Sequence, residues 1–314
     1  MSYQKGLGIP YLGSKRKLAK PIADFILEQN PNTKYVYDLF GGGGAFTLEM
    51  VQRPQIDTVF YNELNTGIVE LFKDLLNNGV DDKYYQWVDK ETFHQHKNND
   101  DWFGGFCKVV YSFGNNQKDY LYGVKITEDK RLAHEYIVNN CLDSKIKLEE
   151  KYNVILPELN GTIQERRLQL TRFFKKLKDG GVETKLYNMQ HLNMVENLTR
   201  VANLERVANL KRVTNLKRVA NLEISNLSYD QVKITTPVEE TIIYLDPPYK
   251  GTRQYQKTLD YNKLTEYILN SPYKIYVSSY EYPELTEVWS KEHRATVMAQ
   301  GNNKVVEKLF CNKV

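Results

Sequence analysis

Four consecutive residues, Asp246, Pro247, Pro248 and Tyr249, bring together the groups needed to hold a planar amine. The Asp246 carboxylate accepts hydrogen bonds. The prolines fix φ and carry no N–H, so they end a strand and leave the carbonyl of Asp246 or Pro247 as a second acceptor. Tyr249 adds an aromatic face. Two acceptors beside a stacking platform suit the NH2-bearing edge of adenine or cytosine. The matching chemistry is methylation of that exocyclic amine, whose lone pair is delocalised into the ring. Acceptors on both N–H bonds draw the nitrogen towards tetrahedral geometry and aim its lone pair at a methyl donor. Catalysis is then positioning plus electrostatics, without a covalent enzyme intermediate or a metal. A proline turn that only ends a strand is the plain alternative.

The elements that must position this motif can be read around it. Thr241-Ile242-Ile243-Tyr244-Leu245 predicts a buried strand running into Asp246. Near the start, Tyr35 to Phe40, Gly41 to Gly44 and Ala45 to Met50 predict strand, glycine loop and helix. Glycines let that loop approach a ligand closely. It is neither a GxGxxG loop nor a phosphate loop, since no GK[ST] follows. One βαβ unit later, after the strand Thr58 to Tyr61, Glu63 stands where a carboxylate can grip ribose hydroxyls. Upstream, Gly13-Ser14 and Lys15 precede a helix predicted from Leu18 to Gln29 and offer amides and a cation to a carboxylate. A plain N-cap with solvated lysines fits those residues equally.

Composition narrows the classes. The 314 residues suffice for a large domain or a domain with an insertion. The net charge of +4 is mild, so any polyanion site is local. Three dispersed cysteines form no CxxC pair or disulfide framework, which points to a reducing, cytoplasmic setting. None follows a proline in the Pro-Cys pair that cytosine-C5 methylation uses. The first residues carry no apolar signal, and no run is long enough to span a membrane.

Taken in order, Tyr11-Leu12-Gly13-Ser14-Lys15, Asp38-Leu39-Phe40-Gly41-Gly42-Gly43-Gly44, Asn62-Glu63-Leu64-Asn65 and Asp246-Pro247-Pro248-Tyr249 resemble the motifs of the Dam-type DNA adenine-N6 methyltransferases. The resemblance covers residues 8–75 and about 222–314 well and the middle loosely. It implies an α/β fold, a Rossmann-like methyltransferase with a mixed seven-stranded sheet and a mainly helical target-recognition insertion. Residues 1–76 plus 221–314 would form the catalytic domain and 77–220 the insertion. The implied donor is S-adenosylmethionine and the implied substrate double-stranded DNA, flipped at adenine, with no metal, no membrane and a monomeric enzyme. The donor site would draw on Tyr11, Gly13, Lys15, Asp38, Phe40, Gly42, Glu63, Tyr229, Asp230 and Asp246. Members often carry Asp at the place of Glu63, and the acid assigned to Asp230 can sit at the place of Ser228. Cytosine-N4, RNA-adenine or protein-glutamine methylation, and a relative that only binds DNA, are the alternatives. The other amine methyltransferases more often carry Ser or Asn before the two prolines.

Three further stretches bear on DNA. Residues 102–126 alternate aromatics with Gly, Asn, Gln and Lys. In the resembled family this position lies near the extruded base, which makes Lys108, Tyr111, Asn115 and Asn116 candidate DNA contacts; a hairpin with Gly and Asn turns is the alternative. After the motif, Lys250 and Arg253 lie in a polar loop that can close over the base. Arg166, Arg167, Arg172, Lys175, Lys176 and Lys178 form a basic stretch beside Phe173 and Phe174. Finally, a hexapeptide repeats from Asn197 to Leu222, with six basic residues against the single acid Glu205. Its apolar residues fall every third place, a stripe that spirals around an α-helix and therefore argues against a simple amphipathic one. Helix, a small β-solenoid and a linker all remain open. A strand and its carboxyl end are expected at Leu222 to Asp230, a helix at about Asn262 to Asn270, a strand at Tyr273 to Ser279, and a closing hairpin of Thr296 to Ala299 with Val305 to Phe310.

Overall fold

Short β-branched and aromatic runs make the strands of this chain. A computed structural model describes residues 6–11, 13–178, 198, 200–214, 221–249, 259–296 and 302–313. Strands β1 (Tyr35–Asp38), β2 (Thr58–Asn62), β3 (Leu222–Ser225), β4 (Thr241–Leu245), β5 (Lys274–Ser279), β6 (Thr286–Thr296) and β7 (Asn302–Cys311) form one sheet in the order β3-β2-β1-β4-β5-β7-β6. The first five run parallel, and β7 is antiparallel to both β5 and β6. This is the expected mixed seven-stranded α/β sheet. All five residues of β4 are buried, as an unbroken apolar run requires in a strand covered on both faces.

Helices α1 (Ala19–Gln29) and α2 (Ala45–Val51) cover one face. They pack with Val36, Val59, Ile242, Tyr244 and Tyr276. The alternate residues Tyr37, Ile243, Leu245, Ile275 and Val277 pack on the other face with Leu264 and Ile268. Helix α3 (Thr66–Asn78) buries Ile68, Val69, Leu71, Phe72 and Leu75, an α-helical stripe. Two glycines let α3 meet another helix, α5 (Trp102–Val110): a Cβ on Gly105 would stand 1.9 Å from the Gly67 carbonyl oxygen.

The chain divides into two compact units. One comprises residues 1–77, 99–105 and 212–314, and the other 78–98 and 106–211. The second holds α4 (Lys90–His96), α6 (Val124–Asn139), α7 (Leu142–Tyr152), α8 (Ile163–Lys178) and most of α9 (Ala202–Thr214). Leu132, Tyr136, Leu148, Tyr152, Leu170, Phe174, Val201 and Leu204 share its core.

Three local expectations change. Residues 102–126 begin as the helix α5 and continue through a 3-10 turn at Phe113–Asn115, with a single bridge between Ser112 and Tyr120. The closing hairpin starts earlier than its apolar residues suggested, because β6 is a charged edge strand carrying Glu287, Lys291 and Glu292. Residues 297–299 of the expected strand and Gly301 of its turn lie outside the described residues.

The repeat is the third. From Ala202 to Thr214 it is the helix α9, and Leu204, Val207, Leu210 and Val213 are all buried; its last residue, Leu222, opens β3. Steps of three residues drift about 60° on an α-helix. Four such residues therefore cover half its circumference, and α9 is embedded rather than laid on one face. Asn197, Thr199 and residues 215–220 lie outside the described residues.

Asn203, from the repeat, is fully buried. Its Nδ2 donates to the Tyr111 hydroxyl and to His134 Nδ1, both at 2.8 Å, and its Oδ1 accepts from the Tyr122 hydroxyl at 2.8 Å. His134 Nε2 lies 2.8 Å from the Tyr85 carbonyl, which only accepts, so the ring is neutral with its proton on Nε2. Burial lowers the His134 pKa to about 4. Asn203→Ala strips three buried groups of a partner. It should lower the unfolding free energy by about 2–4 kcal/mol, read from the denaturant midpoint. Because His134 is depressed in the folded state, its stabilising part is present above pH 6.5 and lost as the pH falls towards 4.

Candidate active site

In the first unit the strand order reverses between β1 and β4, the position where parallel α/β sheets bind ligands beyond their carboxyl ends. Both acids of interest stand there. Asp38 ends β1 opposite Tyr244, and Asp246 follows β4 directly.

Asp246 is engaged on one side only. Lys15 Nζ lies 2.8 Å from Asp246 Oδ1 and also donates to the Tyr249 hydroxyl at 2.6 Å. Asp246 Oδ2 and the Pro247 carbonyl receive no hydrogen bond from a described residue. Burial pushes the Asp246 carboxyl up to about 6; Lys15 opposes that rise and Glu307 adds to it. Burial alone would lower the Lys15 pKa, but Asp246 and Glu307 outweigh it and hold the ammonium charged. The Tyr249 hydroxyl donates to Glu307 Oε1, and its ring meets Tyr280 edge-on at 4.5 Å. Burial, with Asp246 and Glu307 beside it, moves the Tyr249 pKa upward. The Pro248 carbonyl accepts from Tyr261. Glu307, on β7, escaped the sequence reading. Its signal is parity: Glu307 shares the inward alternation of Leu309 and Cys311, where an acid has no ordinary reason to be.

The glycine loop lies against the chain start. Gly42 and Gly44 have φ of 48° and 71°, a region costly for other residues. The Tyr11 ring lies over Gly42, at 3.2 Å from where a Cβ would stand, and Ile9 N donates to Gly43 O at 2.9 Å. Gly13 also has a positive φ, and open space surrounds its Cβ position. Glu63 holds this loop: its Oε2 accepts from Gly42 N at 2.9 Å and its Oε1 from Asn65 N at 2.8 Å. Asp38 is buried; Oδ2 accepts from Thr47 at 2.6 Å and Oδ1 has no partner. Burial first, then the neighbouring charges of Asp246 and Glu63, push its pKa to about 7 against the Thr47 hydrogen bond.

Phe40 and Tyr229 stack on each other with centroids 5.5 Å apart. Asp230 accepts from Lys263 and Ser228. Beneath them Asn62, nearly fully buried, ties three strand ends together. Its Nδ2 donates to the carbonyls of Leu39 and Leu227 at 3.2 and 3.0 Å. Its Oδ1 accepts from Ser225 at 2.8 Å and from Leu227 N at 3.0 Å.

The second unit holds the other candidates. Tyr111 is fully buried, its hydroxyl donating to Gln86 O at 2.9 Å, so it packs the core and does not present its ring to a base. Lys108 is also buried. The Asn116 side chain closes its own turn, accepting from Lys118 N and Asp119 N and donating to Asp119. Asn115 has φ 61° and a buried Oδ1 without a partner. Lys250 and Arg253 lie outside the described residues. In the basic stretch Arg172, Lys175 and Lys176 are exposed, while Arg166 and Arg167 are half-buried. From the repeat, Arg206 Nη1 donates to the carbonyls of Val110 at 3.0 Å and Ser112 at 2.5 Å and so caps the end of α5.

A parallel sheet with a glycine loop after its first strand and an Asp-Pro-Pro-Tyr turn at the switch point defines an amine-methyltransferase type of domain. The model of the D12 class N6 adenine-specific DNA methyltransferases matches residues 11–191 and 188–277. The chain belongs to that family and is an adenine-specific DNA methyltransferase. No curated protein matches it.

Asn62→Ala should cost about 2–3 kcal/mol in denaturant unfolding, because the buried groups of Leu39, Ser225 and Leu227 lose a shared partner.

Proposed function

We propose that the chain transfers a methyl group from S-adenosylmethionine to N6 of an adenine swung out of duplex DNA. One observation carries this reading: Asp246 has one oxygen fixed by Lys15, while Oδ2 and the Pro247 carbonyl take no bond from a described residue. Two free acceptors match the two N–H bonds of an exocyclic amine.

The donor pocket is consistent in charge. Asp246 and Glu63 both repel the charge of Asp38, and Asp38 Oδ1 is a buried acceptor without a partner among the described residues. A cationic ligand relieves both strains. When bound, S-adenosylmethionine supplies an ammonium group and an electrophilic methyl on a cationic sulfur. Asp38 would take the ammonium, and Tyr11, Gly13, Phe40 and Gly42 would line the methionine side. Glu63, whose oxygens also accept from Gly42 N and Asn65 N, would hold ribose hydroxyls. Tyr229 and Asp230 would flank the adenine of the donor. Tyr249 would stack on the target base, with Pro247 and Pro248 fixing its approach. The second unit would read the target through the exposed cations of α8 and the turn that Asn115 and Asn116 shape, with Lys250 and Arg253 on phosphate.

Incubating the protein with labelled donor and unmethylated duplex DNA, followed by nucleoside analysis, should give N6-methyladenine. Labelled N4-methylcytosine, or no label in DNA, overturns the reading. Asp246→Ala should lower transfer about a hundredfold or more while the fold persists. Transfer by the unsubstituted chain should fall as the pH drops through about 6, where Asp246 takes up a proton. A second prediction concerns Asp38. Its raised pKa means that folding stability is lost as the pH rises from about 4 through about 7. Asp38→Asn should therefore raise Tm by about a few degrees at pH 8 and hardly at pH 5. Calorimetry should show weaker donor binding at both; unchanged affinity would remove Asp38 from the donor site.

A further inference from the structure

We propose that Glu307 is a positioning residue of the methyl-transfer step, fixing Lys15 and the Tyr249 hydroxyl so that Asp246 keeps one oxygen turned to the base. This rests on the reading above and adds a residue outside the four motifs.

The geometry runs as a chain. Glu307 Oε1 accepts from Ser278 at 2.9 Å and from the Tyr249 hydroxyl, and lies 3.6 Å from Lys15 Nζ. With its only proton committed to Glu307, the Tyr249 oxygen can accept from Lys15. Lys15 is thus held between two carboxylates and a phenol oxygen, and it takes Asp246 Oδ1. Without Glu307 as acceptor, the hydroxyl proton of Tyr249 is free to turn to Asp246 and use the oxygen meant for the amine. Val306 and Lys308, its neighbours on β7, take the opposite parity.

Charge gives the arrangement a second effect. Lys15, Asp246 and Glu307 together carry one net negative charge in a buried site. As the amine lone pair forms the N–C bond, the C–S pair returns to sulfur and positive charge passes to N6; one N6 proton then leaves to Asp246 Oδ2. A net negative cluster stabilises that developing cation more than the neutral amine it replaces. The groups facing Asp246 are Lys15 from the N-terminal loop, Glu307 from β7, Asp38 from β1, Tyr244 and Tyr249 from its own segment, and Tyr280 after β5.

Glu307→Gln keeps an acceptor for Ser278 and Tyr249 and removes only the charge that holds Lys15, so it separates that charge from mere support. In the ligand-free protein Lys15 should become more readily acylated, as followed by mass spectrometry. In methyl transfer to duplex DNA, kcat should fall about a hundredfold with KM for donor and DNA hardly moved. The acid limb of the kcat profile should shift to lower pH, because one of the charges raising Asp246 is gone. Unchanged kcat and pH profile overturn the proposal, as does unchanged acylation of Lys15. Adenine left unmethylated by the unsubstituted chain overturns the proposed function and this inference together. The failures are distinguishable, because Lys15 acylation is read without donor or DNA.

Discussion

Two carboxylates stand at the ends of adjacent parallel strands, and neither is comfortable with its charge. Asp38 and Asp246 are drawn together by the pairing of β1 with β4, which sets Asp38 beside Tyr244. Burial raises both, helped at Asp38 by the charges of Asp246 and Glu63 and at Asp246 by Glu307. The surroundings answer them differently. Asp246 has Lys15, delivered by the loop before α1, while Asp38 accepts from Thr47 and, among the described residues, keeps an oxygen unpartnered. A buried charge left partly unsatisfied lowers stability and is retained where it serves a ligand. The asymmetry divides the labour in the proposed reaction: Asp246, already compensated, is held for a neutral amine, and Asp38 waits for a cation.

Much of this was legible in the sequence because it is local. An apolar run ending in Asp-Pro-Pro-Tyr specifies a buried strand and its stop, and Asp38 followed by four glycines specifies a strand, a loop and a helix start. These segments carry their geometry in their own residues. The parts that escaped are set by distant partners. Glu307 lies 58 residues beyond Tyr249 on a strand whose charges read as an exposed edge, and only its parity marked it as inward. Tyr111 and Lys108 looked like groups offered to nucleic acid, because aromatic and basic residues serve either a core or a phosphate. Their burial depends on α4 to α9 closing around them. Asn62 was visible as part of a motif, but its work of tying β1, β2 and β3 needs all three strands in place.

The repeat shows the same limit from the other side. Its three-residue apolar spacing was a sound reason to doubt a one-faced helix. What the spacing could not convey is that a helix embedded over half its circumference is served by a drifting stripe. Asn203 then becomes a core residue, matched to two tyrosines and a neutral histidine.

A helix of near-identical hexads raises a question of register. A slip of one to five residues would bring an apolar or charged side chain, or in one case a threonine, to the place of Asn203 and strand the Tyr111, Tyr122 and His134 groups, so the buried polar cluster excludes it. A slip of six is different. It would set Asn209 in the Asn203 position and Arg212 in that of Arg206, with the same groups presented. What distinguishes the units is Glu205, the only acid of the array, which pairs with Arg200 at 2.8 Å. In the slipped register Lys211 would stand there, facing Arg206, and an attraction would become a repulsion. Exposed pairs are individually worth at most about 1 kcal/mol, and the sign change roughly doubles the difference. The fold of the second unit is thus secured against small slips by a dry hydrogen-bond cluster, and against a whole-unit slip by a single surface charge.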